Sequence, residues 1–227
     1  MTTVLVIAKE PVPGRVKTRL TPPFTAVEAA RLAEAALADT LGVVARVPAR
    51  RRVLVLDGRP GRWLPPGFEV MPQAAGGLDV RIAAAFASCT GPALLIGMDT
   101  PQVTPAFLAP VLRGQERYDA WFGPAVDGGF WALGLAVPDP ALVLGVPMST
   151  PDTGAVQYAR LRAAGLRVGG LPVLRDVDTA EDAARVALRA RGTRFAALHA
   201  ELAAARAAPT SAAGAGVAAA GEEGAAG

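Results

Sequence analysis

Short, continuously apolar runs recur along the chain, and between them lie longer stretches where apolar residues return every three or four positions. The first run, Val4-Leu5-Val6-Ile7-Ala8, is brief and rich in β-branched residues, so it reads as a buried strand. Thr25-Ala26-Val27-Glu28 has the spacing of a capping box and opens a helix to about Ala45. Arg52 to Asp57 is a second strand, the Pro/Gly loop Gly58 to Gly67 follows, and Phe68 to Met71 is a short third strand. A helix from Leu78 to Ser88 leads into the most apolar run, Ala93 to Met98. Thr104-Pro105 starts a helix to about Leu112, with Pro at its first turn. Strands follow at Asp119 to Phe122 and Phe130 to Leu135, a helix at Pro151 to Ala164, a strand at Arg167 to Leu174, and two final helices. This order predicts an α/β fold: one mostly parallel sheet, helices on both faces, and a small antiparallel insertion. From Ala203 on, Ala, Gly, Ser and Pro dominate, which predicts a folded unit over 1–202 and a disordered tail over 203–227.

Composition changes this picture in three ways. The 227 residues are 52% hydrophobic but only 5% aromatic, so a single core must be built mainly from Ala, Val and Leu. The net charge is +3, and the segment 1–20 alone supplies that excess, with Lys9, Arg15, Lys17 and Arg19 set against Glu10. Basicity focused on one loop suits a small anionic ligand; Arg50-Arg51-Arg52 reads as a solvated turn, and no nucleic-acid partner is expected. Lys9 and Lys17 are also the only lysines among 23 basic residues. In so arginine-rich a chain they mark positions where a compact ammonium is wanted. A basic loop bearing Gly14 at the end of a first buried strand is where open α/β sheets hold nucleotide phosphates.

Cys89 and His199 are each alone, which excludes an internal disulfide and a thiolate metal cluster and argues against a His-rich zinc site and a Ser-His-Asp triad. Any metal must be hard and held by carboxylate oxygen. No window reaches the ~18 apolar residues of a membrane span. The chain enters a strand at once without a charged leader, so a cytoplasmic location is expected.

Three acidic segments could carry chemistry. Asp99 closes the most apolar strand at the carboxyl edge, where such sheets bind ligands, although Asp before Thr100-Pro101 could equally cap a turn. Asp176-Val177-Asp178 ends the last strand; Asp178 with Glu181 could cap the next helix, or the strand end could hold a divalent cation against a diphosphate. Asp127-Gly128-Gly129, between two strands, is a hairpin signal. It is also a loop where glycines would let an acceptor approach the backbone and Asp127 could hold or deprotonate a hydroxyl.

Four ordered segments together resemble a known family. They are Ala8-Lys9 through Lys17-Thr18-Arg19-Leu20; Gly97-Met98-Asp99-Thr100-Pro101; Gly123-Pro124-Ala125 with Asp127-Gly128-Gly129-Phe130; and Asp176-Val177-Asp178-Thr179 with Glu181-Asp182. Over roughly residues 1–188 the chain resembles the rSAM/selenodomain-associated transferases, of the GT-A-like nucleotide-diphospho-sugar transferase group. It is similar at more distance to the molybdenum-cofactor and phospholactate guanylyltransferases. The resemblance implies a GT-A (Rossmann-like) fold, with Lys9, Gly14, Arg15, Lys17 and Arg19 at the donor phosphates. It further implies Mg²⁺ or Mn²⁺ on Asp99 and on Asp178 or Asp176, and Asp127, Gly128 and Gly129 at the acceptor, with Asp99 and Asp127 catalytic. Two departures stand out: Val126 occupies a position that is usually polar, and Thr100-Pro101 follows Asp99 where a second carboxylate would complete an Asp-x-Asp motif.

The expected activity is metal-dependent transfer of a glycosyl group from a nucleoside-diphosphate sugar to a small acceptor. Nucleotidyl transfer to a phosphorylated molecule is the alternative, and a non-catalytic nucleotide-binding module the third. The loop lacks the run of glycines that commonly wraps a triphosphate, which favours the first.

Overall fold

The computed structural model describes residues 1–113 and 117–207; most of the expected tail, 208–227, lies outside the described residues. Seven strands form one sheet: β1 (Thr3–Lys9), β2 (Arg51–Asp57), β3 (Glu69–Pro72), β4 (Ala93–Gly97), β5 (Ala120–Pro124), β6 (Phe130–Leu135) and β7 (Val168–Gly170). Their spatial order is β3-β2-β1-β4-β6-β5-β7. β6 alone runs antiparallel, against both β4 and β5, so the expected insertion is the single hairpin β5–β6. All other pairings are parallel.

Among the described residues there are six α-helices: α1 (Ala26–Arg46), α2 (Leu78–Ala87), α3 (Pro105–Arg113), α4 (Thr153–Ala163), α5 (Ala180–Arg189) and α6 (Arg194–Ala207). Alternation along β1 divides the core. Val4, Val6 and Ala8 pack on one face with α1 and α3, whereas Leu5 packs on the other with α2 and Leu161 of α4. A third cluster joins α1, α5 and α6 around Leu20, Leu32 and Phe195. The core is indeed built chiefly from Ala, Val and Leu, although Trp121, Phe86 and Phe195 are among its largest fully buried side chains. Among the described residues no helix is long and apolar enough to cross a membrane.

Three boundaries differ from expectation, each for a local reason. The last strand is regular only over Val168–Gly170, because Pro172 has no N–H to offer the ladder. Pairing resumes beyond it as an isolated bridge between Ala125 and Leu174. The cap of α5 is Thr179 with Asp182, not Asp178 with Glu181; the Thr179 hydroxyl accepts from Asp182 N and the Asp182 carboxylate from Thr179 N. That reciprocal pair leaves Asp178 available elsewhere. Finally, α6 continues through Ala207, so residues 203–207 are helical and the boundary at 202 falls too early. Arg206 explains it: its guanidinium lies 4.3 Å from the Phe24 ring centre and donates to Glu28 and to the carbonyl of Leu202.

Candidate active site

The carboxyl ends of β1 and β4 are neighbours, and the chain runs on from β1 to β2 and from β4 to β5 in opposite directions along the sheet, which opens a crevice at that edge. A cavity of about 830 Å³ occupies it. One wall is the loop after β1. Val16 and Leu20 are buried in two different clusters, so the loop is pinned on both sides of Lys17. Lys17 itself adopts a left-handed backbone conformation (φ 48°), unusual for a residue with a side chain. Its side chain is 11% exposed, and Nζ donates to Asp99 Oδ2 at 2.6 Å and to Asp178 Oδ1 at 3.2 Å. Arg19, 76% exposed, donates to the other Asp178 oxygen at 3.0 Å. Burial pulls the Lys17 pKa down, but the charges of Asp99 and Asp178 and their hydrogen bonds outweigh it, and the net direction is up.

Asp99 is delivered by the end of β4, and its carbonyl accepts from Val177 N at 3.0 Å, which ties the two acidic segments together. Gln102 adds a second tie, Nε2 donating to Arg175 O at 2.5 Å. Between them sits Asp176, whose pKa is pushed up to about 7, first by burial and then by the charges of Asp99 and Asp127. Four carboxylates thus face one cavity, and only Asp99 and Asp178 are paired with Lys17.

The opposite wall is the β5–β6 turn. Asp127 Oδ1 accepts from Gly129 N at 2.8 Å, so the hairpin reading of this segment holds while the carboxylate still lines the cavity. Gly154 N donates to Gly128 O at 2.7 Å, which clamps the turn onto the start of α4. A Cβ on Gly128 would run into the Pro151 carbonyl, and one on Gly154 into the carbonyls of Gly128 and Gly129. Both glycines are demanded by this backbone-to-backbone approach.

Of the residues singled out in the sequence, Lys9, Arg15, Lys17, Arg19, Asp99, Asp127, Gly129 and Asp178 line the cavity. Gly14 and Gly128 do not; Gly14 (φ 76°) shapes the loop, and Gly128 packs the turn. Among the described residues Lys9 forms no ion pair, and its backbone N–H meets the Met98 sulfur at 3.2 Å.

Two contributors were not legible in the sequence. Met148, Ser149, Thr150 and Thr153 extend the wall beside Asp127, from a loop with no motif of its own. At the far end Arg81 joins Asp57 and Gln73 in a hydrogen-bonded set whose amide also donates to Ala8 O at 2.8 Å. Each of these residues looks like an ordinary polar surface position until the topology brings them together.

The hard oxygen donors of Asp99 and Asp178 suit Mg²⁺ or Mn²⁺, which commonly complete their coordination with water and substrate phosphate. Among the described residues no three His, Cys, Asp or Glu side chains are grouped to hold a metal by themselves.

The profile of the family described as "Uncharacterized protein conserved in bacteria (DUF2064)" matches residues 30–150, just over half of the chain. The chain belongs to the DUF2064 family. That span contains Asp99 and Asp127, whereas the Lys17 loop and Asp178 lie on either side of it. No curated protein matches the sequence. Among solved structures, a provisionally assigned nucleotide-diphospho-sugar transferase from Desulfovibrio desulfuricans G20 is 27% identical, with a TM-score of 0.79. That similarity covers 91% of this chain and 96% of that one. Rv0371c from Mycobacterium tuberculosis H37Rv shares the fold at 20% identity and a TM-score of 0.55, over 82% and 96% of the two chains. CMP:2-keto-3-deoxy-manno-octonic acid synthetase, solved with CTP, shares it at 11% identity and a TM-score of 0.53, over 84% and 98%. The motif-based resemblance and the GT-A-like architecture agree with these likenesses.

Proposed function

We propose that this protein is a nucleotide-dependent transferase that moves a glycosyl group from a nucleoside-diphosphate sugar to a small hydroxyl acceptor. The observation that carries this reading is the polarity of the cavity: Lys17, Arg15 and Arg19 on one wall, Asp127 on the other, and strand-end carboxylates between them. The resemblance to the D. desulfuricans protein supports a nucleotide-using transferase of this kind.

In this reading the cations of the β1 loop hold the diphosphate and stabilise the negative charge that grows on it as the sugar–oxygen bond breaks. Asp127, with one oxygen steadied by Gly129 N, accepts the proton of the attacking hydroxyl through its other oxygen. Asp99 and Asp178 would hold Mg²⁺ or Mn²⁺, which when bound supplies further neutralisation of the leaving diphosphate. A diphosphate is favoured over a triphosphate because the loop lacks the run of glycines that commonly wraps a triphosphate, and part of its backbone is already engaged. The amides of Val12 and Arg15 are spent within it, on Glu10 O at 2.8 Å and Val12 O at 3.0 Å.

The test is incubation of the protein with a panel of nucleotide sugars and Mn²⁺, followed by chromatography. Slow release of nucleoside diphosphate, water serving in the vacant acceptor site, is the expected result. Pyrophosphate released from a nucleoside triphosphate only in the presence of a phosphorylated acceptor, with no nucleotide sugar cleaved, would replace this reading with nucleotidyl transfer.

A further inference from the structure

Lys17 stands where a cation between Asp99 and Asp178 would be most strongly held. Its ammonium touches both carboxylates, the side chain is nearly enclosed, and the backbone accepts an unusual left-handed conformation to put it there. Among the described residues two of its three N–H donors are used. The residue sits in a loop rather than inside a helix or strand, between Arg15 and Arg19, two further cationic side chains that line the cavity.

We propose that Lys17 is an exchangeable internal cation: its ammonium closes the Asp99–Asp178 pair in the empty protein and competes with a divalent metal for those two carboxylates. Resting on the proposed function, the idea also fixes an order of events. A diphosphate gives the ammonium a new anionic partner and frees the carboxylates, so metal and diphosphate enter together and each strengthens the other's binding. Without a diphosphate the protein excludes metal. Ammonium and metal at one point repel, and a neighbouring like charge commonly changes such equilibria by about tenfold to a thousandfold.

Manganese itself is the probe, followed by the electron paramagnetic resonance signal of the free ion, with no nucleotide present. Lys17→Met, which keeps the side chain's length and removes its charge, should bind Mn²⁺ at least about tenfold more tightly than wild type. Asp99→Asn added to that variant should abolish the gain. Equal or weaker Mn²⁺ binding by Lys17→Met overturns the proposal, as does a gain that survives loss of Asp99.

The wild-type chain provides a test that needs no variant at Lys17. With only two lysines, selective ¹³Cε labelling yields two resonances, and Lys9→Arg assigns them. The Lys17 signal should move when Mg²⁺ and pyrophosphate are added together and stay in place with Mg²⁺ alone at the same concentration. A Lys17 signal that moves equally with Mg²⁺ alone overturns the coupled order. A metal gain in Lys17→Met with no response to pyrophosphate counts against the nucleotide reading and leaves the competition between lysine and metal standing.

Discussion

Asp176 is the carboxylate that the ligand-free site holds at a cost, and Asp176→Asn should reveal that cost. Burial, and then the charges of Asp99 and Asp127, raise its pKa from 3.8 to about 7. Between those values the folded state binds a proton that the unfolded state has released. The contribution of this group to stability is therefore most favourable below about pH 4 and is lost as pH rises towards and through 7. At about 1.36 kcal/mol per unit, a shift of this size corresponds to at most about 4 kcal/mol. The group opens onto a wide cavity, so solvent screening reduces the expectation to about 2 kcal/mol. Asp176→Asn should consequently be near neutral around pH 4 and stabilise the protein by about 2 kcal/mol above pH 7. Urea midpoints for both proteins at three pH values, without metal, measure this difference, and contributions from all other titrating groups cancel between them. A difference that is flat with pH, or that grows towards acid, would refute the electrostatic account of the site.

Two further outcomes follow from packing. Gly128→Ala combines a positive φ of 91° with a collision against the Pro151 carbonyl, so a loss of about 2–5 kcal/mol is expected in chemical denaturation. Gly14→Ala, at φ 76° with open space around it, should lose only about 1 kcal/mol; equal losses would show that the approach to α4 is not tight. Arg206→Ala removes the contact over Phe24 and the bond to Glu28 and should cost about 1–2 kcal/mol in thermal unfolding. An unchanged melting temperature in that variant would mean that the end of α6 is not held.

The architecture was legible because parallel strands buried on both faces have to be continuous apolar runs, and Val4–Ala8 and Ala93–Gly97 are such runs. The helices announced themselves through caps, with Thr25 and Glu28 forming the reciprocal pair their spacing suggests. What misled was local competition. Asp178 and Thr179 both make good helix caps with an acid three residues on; Thr179 and Asp182 close the box, while Asp178 is engaged by Lys17 and Arg19. The end of α6 was hidden for another reason: Ala is both the best helix former and the hallmark of a low-complexity tail, so composition alone cannot place the boundary. One arginine with an aromatic partner on the first helical layer decides it.

The site was legible as an inventory of charges and not as a set of pairs. Lys17 and Asp99 are separated by 82 positions and Lys17 and Asp178 by 161; the adjacency of β1 and β4 brings the first pair together, and the bond from Val177 N to Asp99 O brings in Asp178. A sequence can show that a loop is basic and that two strand ends are acidic; it cannot show that the basic and acidic groups satisfy one another before any ligand arrives. That distinction changes the chemistry expected of the site. Four carboxylates facing one cavity would repel strongly if left bare; Lys17 and Arg19 relieve the repulsion at Asp99 and Asp178, while burial and the charges of Asp99 and Asp127 make Asp176 hold its proton to higher pH than an ordinary carboxyl. A cationic ligand set that displaced Lys17 would therefore meet a site already shaped for positive charge, and its own charge would draw Asp176 back towards the ionised form.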